Sequence, residues 1–408
     1  GLTGELNLGG CTSLTSIGDY AFYYCEGLTS ITLPSSLTSI GDYAFYGCDG
    51  LTGELNLGEC TSLTSIGSYA FFRCSGLTGE LDLSNCTSLT SIGDSAFYGC
   101  DGLTGELNLG GCTSLTSIGD SAFRYCTGLT SADLSGCTGL TSIGDRAFDD
   151  CSGLTGTVTI PASVTEIGIN PFTDCSNLEG IVVEEVNSEY YIAGNCLIEN
   201  STKTLITGFN NSTIPSDIKI IGDYAFYLCS GLTSITLPSS LTSIGRFAFD
   251  ACRGLTGELN LGECTSLTSI GISAFQACRG LTSVDLSGCT NLTSIGWFAF
   301  SGCDGLTGEL NLGECTSLTS IGWYAFNGCD GLTSVDLSGC TSLTSIESYA
   351  FEGCSTLKSV VFPVGSTGWY VTTSSTATSG TPVVVTNAST NASNLTGQYY
   401  NYYWKRNV

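Results

Sequence analysis

The sequence predicts a repeat solenoid: a right-handed superhelix of short parallel strands with 3₁₀ or short helical turns, closed by a β-rich C-terminal cap. Three observations support this prediction. The dipeptide Ala-Phe recurs at intervals of 23 to 26 residues through most of the chain. Short stretches with alternating leucines recur at the same interval, and cysteines hold fixed places relative to both. Self-similarity at such a period is typical of stacked repeat units.

The repeat defines the extent of the solenoid. The Asn-Pro-Phe that ends at Phe172 is a degenerate copy of Ala-Phe, and the interval from there to Phe226 is long enough for two imperfect turns. We therefore predict a solenoid over residues 1–362, with degenerate turns at about 173–222, and a separate segment over residues 363–408. The phenylalanines of the intact dipeptides are Phe22, Phe45, Phe71, Phe97, Phe123, Phe148, Phe226, Phe249, Phe275, Phe300, Phe326 and Phe351.

One unit, residues 51–76, shows how the pattern folds. Leu55 and Leu57 alternate with polar residues, which predicts a short strand with both leucines facing inward. Ile66 belongs to a second short extended piece, and Phe71 is predicted to fill the interior from a 3₁₀ or helical turn. A single unit cannot bury these side chains, so neighbouring units must supply the rest of the core.

The cysteines form two columns. One cysteine follows Ala-Phe by three residues, as Cys74 does, and the other follows the strand, as Cys60 does; the two are 14 residues apart in each unit that carries both. The absence of histidine and of C-x-x-C spacing argues against zinc. We expect most of the 23 thiols to be buried and to satisfy backbone groups of the turns. Axial disulfides between adjacent turns are an alternative if the protein is secreted.

Composition excludes several classes of function. The 408 residues carry a net charge of −26, which repels nucleic acid and anionic membranes. Without histidine, Ser-His-Asp and Cys-His catalysis are impossible. The chain has no run of about 18 apolar residues, so direct membrane insertion is not expected. These features predict a protein that is not an enzyme.

The acidic residues recur on neighbouring turns. Glu54, Glu80 and Glu106 occupy one position of three consecutive units, so their charges should lie about 5 Å apart and repel. Water and counterions are one way to relieve this repulsion, and no cofactor is then expected. The alternative is Ca²⁺, bound by the carboxylates of this ladder.

Aromatic residues also recur at equivalent positions, next to Ala-Phe. These positions hold small or charged residues in other units, so the aromatic side chains should be partly exposed. They either cover the solenoid or form a strip that binds a protein or glycan partner. The candidate contact residues are Trp297, Phe298, Trp323, Tyr324, Tyr20, Tyr43 and Tyr69.

The segment from residue 363 onward is rich in Ser, Thr, Val and aromatic residues. It is predicted either to cap the last turn or to dock onto another copy of the protein. The candidate assembly residues are Tyr399, Tyr400, Tyr402, Tyr403 and Trp404.

Glycosylation sequons are not much more frequent than chance predicts, and Asn85, beside a core cysteine, is a doubtful acceptor. The candidate N-glycosylation sites are Asn200, Asn210, Asn211, Asn291, Asn387, Asn391 and Asn394.

The motif LTSVDLSGCTNL at residues 281–292, followed by the IG-x-x-AF-x-x-C element, resembles the BspA-like leucine-rich-repeat family. Residues 181–226 resemble the degenerate turn of such proteins. The resemblance implies an extracellular or cell-surface, non-catalytic solenoid for adhesion and protein binding. The alternative is a structural subunit of an extracellular filament, self-associating head to tail through the C-terminal segment.

Overall fold

The computed structural model describes residues 1–407, which divide into two compact units. The first comprises Gly1–Ile192 and Leu197–Asn200, and the second comprises Ala193–Cys196 and the chain from Ser201 onward. Each unit is a parallel-strand solenoid, and together they contain about 14 turns. The predicted fold class is therefore confirmed.

The first unit contains a ladder of seven two-residue parallel strands, the first Ser-Ile ladder. Isoleucine pairs with isoleucine at every step, for example Ile66 with Ile92, so the register follows the sequence repeat. The isoleucines face the core and are buried. The strands are Ser16–Ile17, Ser39–Ile40, Ser65–Ile66, Ser91–Ile92, Ser117–Ile118, Ser142–Ile143 and Glu166–Ile167.

Longer parallel strands form small sheets elsewhere in the first unit, where the alternating leucines lie. They are Thr3–Asn7 with Gly27–Thr32; Gly79–Asp82, Leu103–Asn108 and Leu129–Asp133; and Gly156–Ile160 with Leu178–Val183. The strand predicted at Leu55 and Leu57 is absent, which corrects that prediction: a 3₁₀ helix, Leu57–Glu59, takes its place. Both leucines are nevertheless buried, as predicted. The strands Tyr190–Ala193 and Cys196–Glu199 lie at the boundary of the two units, where the chain enters the second unit, returns to the first and then continues in the second.

The second unit repeats this plan. Its ladder, the second Ser-Ile ladder, consists of Thr204–Thr207, Ile220–Ile221, Ser243–Ile244, Ser269–Ile270, Ser294–Ile295, Ser320–Ile321 and Ser345–Ile346. Its longer strands are Thr256–Asn260 with Gly280–Asp285, and Thr307–Asn311, Gly331–Asp336 and Ser359–Val361.

The Ala-Phe segments are successions of hydrogen-bonded turns. In one unit, Ala70 N–H donates to the Gly67 carbonyl and Cys74 N–H to the Phe71 carbonyl. Tyr69 and Arg73, the third residues of these two turns, have φ values of 57° and 58°. Their N–H groups point along the solenoid and donate to carbonyls of the next turn. Short 3₁₀ structure is thus confined to Leu57–Glu59 within the repeats, because the alternating left-handed residues prevent a continuous helix.

A stack of phenylalanine rings fills the centre of each unit. Neighbouring ring centroids are 5.0 to 5.4 Å apart in the stack from Phe22 to Phe172 and in the stack from Phe226 to Phe351. All of these rings except Phe22 are buried. The predicted role of Phe71 as an interior plug is therefore what the structure shows.

The thiols complete the core. In the first column, most thiols donate to a phenylalanine carbonyl of the preceding turn, as Cys74 does to Phe45 at 3.1 Å. Cys229, which follows the degenerate turns, donates to the Gly208 carbonyl instead. In the second column, Cys86 donates to the Leu57 carbonyl at 3.4 Å. None of the 23 cysteines, all of which lie within the described residues, forms a disulfide, and only Cys11 is exposed. The expectation that the thiols satisfy turn backbone holds in both columns.

The C-terminal segment closes the second unit. Tyr403–Arg406 pairs antiparallel with Ser345–Ile346, the last strand of the second Ser-Ile ladder, and on its other side with Trp369–Thr372. Thr381–Pro382 adds an edge strand, and the short helices Ala388–Ser393 and Asn394–Gln398 follow. Reversing the strand direction ends the parallel ladder, so this segment is a cap.

Candidate functional site

The most prominent aromatic surface lies in the second unit, on two consecutive turns. Trp297 and Phe298 stand between Ile-Gly and Ala-Phe on one turn, and Trp323 and Tyr324 hold the same places on the next. The buried isoleucine and phenylalanine on either side fix the backbone, so these side chains project away from the core. Phe298 and Tyr324 have φ values of 56° and 55°, the left-handed conformation of this turn position.

The rings of this surface contact each other in two ways. Phe298 and Tyr324 stack at 5.1 Å, and Tyr324 stacks on Tyr349 at 4.7 Å. Trp297 and Trp323 instead meet at 6.3 Å with their planes 85° apart. Trp297 is 49 % exposed, so it leaves indole surface available to a partner. The structure therefore brings the four predicted residues of this turn pair together.

Glu347 belongs to the same surface and was missed by the sequence analysis. It replaces the glycine that follows isoleucine in the other intact repeats. Burial raises the pKa of its carboxyl group, while hydrogen bonds from the Trp297 side chain and the Trp323 backbone, and the charge of Lys405, act to lower it. The replacement of glycine in the Ile-Gly pattern was the available sequence signal. It does not predict the contacts of Glu347, because these depend on the side chains of the adjacent turns.

The other predicted aromatic strip lies in the first unit and has a different geometry. Tyr20, Tyr43 and Tyr69 form a column with successive ring centroids 4.8 Å apart and planes within 8° of parallel. Because the ring faces cover each other, the column presents mainly ring edges and hydroxyl groups to solvent. Tyr20, at the open end, is 55 % exposed. This strip suits hydrogen bonding better than stacking against a ligand.

Most aromatic side chains of the cap pack against other residues of the same chain. Trp404 is 1 % exposed, donates to the Tyr399 carbonyl at 3.3 Å and packs against Phe362. The prediction that Trp404 forms an assembly contact is therefore corrected: it belongs to the core of the cap. The Tyr400 carbonyl accepts a hydrogen bond from Tyr349 N–H. In other repeats the equivalent N–H donates to a carbonyl of the next turn. Tyr399, Tyr402 and Tyr403 are half-buried, and their role in assembly stays a prediction.

The candidate glycosylation sites differ in accessibility. Asn391 is fully buried, and its amide nitrogen donates to the Val360 and Val385 carbonyls at 2.9 and 3.0 Å. Asn391 cannot carry a glycan in this fold, which corrects that prediction. The amide nitrogens of Asn200 and Asn291 donate to Ser188 and Thr265 carbonyls.

The remaining candidate acceptors are reachable to different degrees. Asn394 is half-exposed, and three others are exposed: Asn210, Asn211 and Asn387. Modification at these positions stays a prediction.

The glutamate ladder does not converge on a cation site. Glu54 and Glu80 are exposed and Glu106 is half-buried. The side chain of Glu54 lies over Gly79 on the next turn, and that of Glu80 lies over Gly105. Across residues 1–407, no group of three or more His, Cys, Asp or Glu side chains is arranged to hold a metal ion. Binding of Ca²⁺ to this ladder stays an untested prediction.

Among the described residues, no helix is long and apolar enough to cross a membrane.

Together, the parallel ladders, the leucine strands and the stacked phenylalanines define a leucine-rich-repeat solenoid. The family model for the BspA type leucine-rich repeat region matches at residues 10–130, 91–208, 202–314 and 268–379. The chain belongs to this family. Leucine-rich repeats generally serve as binding scaffolds, and no catalytic family is indicated.

Solved structures agree with this assignment. A leucine rich cell surface protein from Faecalibacterium prausnitzii is 29 % identical, with a TM-score of 0.62, over 86 % of this chain and 84 % of that chain. The pneumococcal vaccine antigen PcpA, 23 % identical with a TM-score of 0.55 over 79 % of this chain and 73 % of that one, is similar in fold. A search of curated protein sequences gives no significant match.

Proposed function

We propose that this protein is an extracellular or cell-surface leucine-rich-repeat protein that binds a protein partner and acts in adhesion, without catalysing a reaction. Its contact surface is the Trp297 surface, formed by Trp297, Phe298, Trp323 and Tyr324. Family membership supports protein binding, and the cell-surface description of the Faecalibacterium protein supports the location.

The observation that carries the proposal is the half-exposed Trp297 set edge-on against Trp323. Tryptophan and tyrosine contribute much of the binding energy at protein interfaces because they bury large areas with few rotatable bonds. Here the stacked column of Phe298, Tyr324 and Tyr349 holds the surrounding rings in place. A partner would therefore meet a pre-organised surface, which reduces the entropy lost on binding.

The experiment is adhesion of the purified protein to surfaces coated with extracellular-matrix proteins or mucin, compared with a Trp297→Ser variant. Serine occupies the equivalent position at Ser68, so the turn tolerates it. We expect the variant to lose at least about tenfold in affinity, the usual effect of truncating an interface tryptophan. The matched control is Ile272→Ser, at the same position of the preceding turn.

Equal binding by the Trp297→Ser variant and the native protein would contradict the assignment of this surface. The filament alternative is less favoured, because Tyr403–Arg406 already occupies the edge of the last ladder strand that another copy would need. Assembly through other parts of the cap stays a prediction.

A further inference from the structure

A notch interrupts the surface of the first unit at Gly99. The residue two places after Ala-Phe is Arg73 on one turn, Gly99 on the next and Tyr125 on the one after. Because glycine has no side chain, a gap of about 650 Å³ opens between Arg73 and Tyr125. Asp49, Ser75, Asp101 and Thr127 line its rim.

Glycines at this turn position are not all uncovered, and Gly302, which is, has Ala277 and not an arginine on the preceding turn. At Gly47, on an earlier turn, the Tyr24 ring lies within 2.8 Å of where a side chain would begin, so that position is covered. At Gly99 the nearest atoms to such a position are Arg73 Cγ at 3.4 Å and Arg73 Cα at 3.9 Å. The notch is open to solvent and is not filled by a neighbouring ring.

One wall of the notch is held rigidly. Arg124 lies over the Tyr125 ring, with its guanidinium carbon 4.6 Å from the ring centroid, and donates to the Tyr125 hydroxyl at 3.0 Å. Asp149 fixes Arg124 through an ion pair of 2.8 Å. Tyr98 stacks on Phe72 of the preceding turn at 4.6 Å but meets Tyr125 edge to face at 5.2 Å, so the stacking does not continue to Tyr125.

The polar groups on the rim are available. Within residues 1–407, the carboxyl groups of Asp49 and Asp101 make no hydrogen bond or ion pair. The exposed Arg73 lies over the Phe72 ring at 5.5 Å, and among the described residues its guanidinium donates no hydrogen bond. Acceptors, a donor and an aromatic wall therefore face one space.

From this arrangement we infer that the notch binds one residue of a neutral glycan. The carboxylates of Asp49 and Asp101 accept hydrogen bonds from sugar hydroxyls, and Arg73 donates to a hydroxyl or ring oxygen. Apolar C–H groups of the sugar pack against the parts of the Tyr98 and Tyr125 rings that Phe72 and Arg124 leave uncovered. The net charge of −26 disfavours acidic sugars. A purely cationic ligand would leave Arg73 as a repulsive neighbour.

The test is ligand-observed saturation-transfer NMR on the full chain, with methyl glycosides of glucose, galactose, mannose and N-acetylglucosamine as probes. We expect at least one to bind with a dissociation constant on the order of 1 mM. Gly99→Tyr fills the notch with the side chain found at Tyr125, and should weaken binding at least about tenfold. Gly302→Tyr, the equivalent position in the second unit, is the matched control and should bind as the native protein does.

If Gly99→Tyr does not fold, Asp101→Asn provides a second test. This variant should also weaken sugar binding, because it removes the charge of a proposed hydrogen-bond acceptor. Trp297→Ser should leave sugar binding unchanged, which separates this inference from the proposed contact surface in the second unit. No binding of any probe, equal binding by Gly99→Tyr and the native protein, or binding of N-acetyl-lysinamide in place of the sugars would overturn the inference.

Discussion

Within each stack, every core phenylalanine except those at the two ends lies between two others, so removal of one such ring leaves a void that its neighbours cannot fill without breaking their own stacking. Phe123 and Phe300 are both fully buried. Replacing either with alanine should destabilise its unit by about 3–5 kcal/mol, the usual range for a buried phenylalanine. Urea unfolding measures this change. Tyr23→Ala, at a side chain that is 42 % exposed, is the control. A loss below about 1 kcal/mol for the core variants would show that these rings are not essential to packing.

Burial also determines the reactivity of the thiols. It raises the pKa of Cys86 and Cys112 to about 12, so almost no thiolate exists at neutral pH. Since the thiolate is the reactive form, native protein should react with iodoacetamide rapidly only at Cys11, the exposed cysteine. Mass spectrometry locates the label, and urea-unfolded protein is the control in which all 23 cysteines should react. Rapid native labelling at Cys86 would mean that the turns open easily.

A half-buried carboxyl group predicts a pH dependence of stability. Burial raises the pKa of Asp250 from 3.8 to about 6, against the lowering effects of a hydrogen bond from Ala251 N–H and the charge of Arg253. Between these values the folded state binds more protons than the unfolded state, so the free energy of unfolding falls as pH rises from about 4 to 6. Asp250→Asn should reduce this fall by on the order of 1 kcal/mol, allowing for partial exposure. Urea unfolding at both pH values checks it, and an unchanged slope would contradict it.

For individual residues, the sequence predicted the buried core correctly but did not predict the contacts between surface side chains. Phe71 and Cys74 recur at fixed places, so their burial follows from the period alone. The interactions of Glu347 with Trp297 and Trp323 depend on which solenoid turns are adjacent and on the conformation of each side chain. Asn391 lies in a sequon, but the fold of the cap buries it, and this burial could not be predicted from the sequence.

In the first Ser-Ile ladder, after its first turn, the turns pack so closely that a side chain at the glycine after isoleucine would clash with the preceding turn. A Cβ atom at Gly119 would lie 2.5 Å from Asp94 Oδ1 and 2.6 Å from Asp94 N on the preceding turn. Gly18 holds the same place in the first turn, where nothing lies within 4 Å.

Gly119→Ala should therefore destabilise the first unit by about 1–3 kcal/mol, whereas Gly18→Ala should change stability by less than about 1 kcal/mol in either direction. Thermal unfolding compares the two variants. Equal effects would show that inter-turn contact at this glycine does not limit the spacing of the ladder.

For the repeat elements, the sequence predicted the strands and the turns but not the backbone between them. Leucine alternation located most of the longer strands, but the strand predicted at Leu55 and Leu57 is replaced by the 3₁₀ helix Leu57–Glu59. The left-handed conformations of Tyr69 and Arg73 had no such signal, because residues other than glycine rarely adopt them. Hydrogen bonds from their N–H groups to the next turn stabilise this conformation, and these bonds exist only after stacking.

For the whole chain, the cap protects the end of the second unit. Without residues 363–408, Ser345–Ile346 loses its antiparallel partner and Phe362 loses the packing of Trp404 and Trp369. The truncated protein should self-associate through the exposed edge and apolar surface. Light scattering and analytical ultracentrifugation measure this. Trp404→Ala, which loosens the cap without removing it, should show a smaller effect. A stable, monomeric truncation would show that the segment neither caps the solenoid nor mediates assembly.

The uniform hydrogen bonding between turns has a consequence for how such a gene can change. The segment LTGELNLGECTSLTSI occurs unaltered at residues 51–66, 255–270 and 306–321, in both units. Outside the degenerate turns at about 173–222, neighbouring turns present equivalent backbone donors and acceptors to each other, so duplication or loss of one whole turn leaves the remaining partners in register. Unequal recombination can therefore alter the number of turns without new mutations in the core. Surface residues such as Gly99 and Trp297 can then diversify independently of the scaffold that presents them.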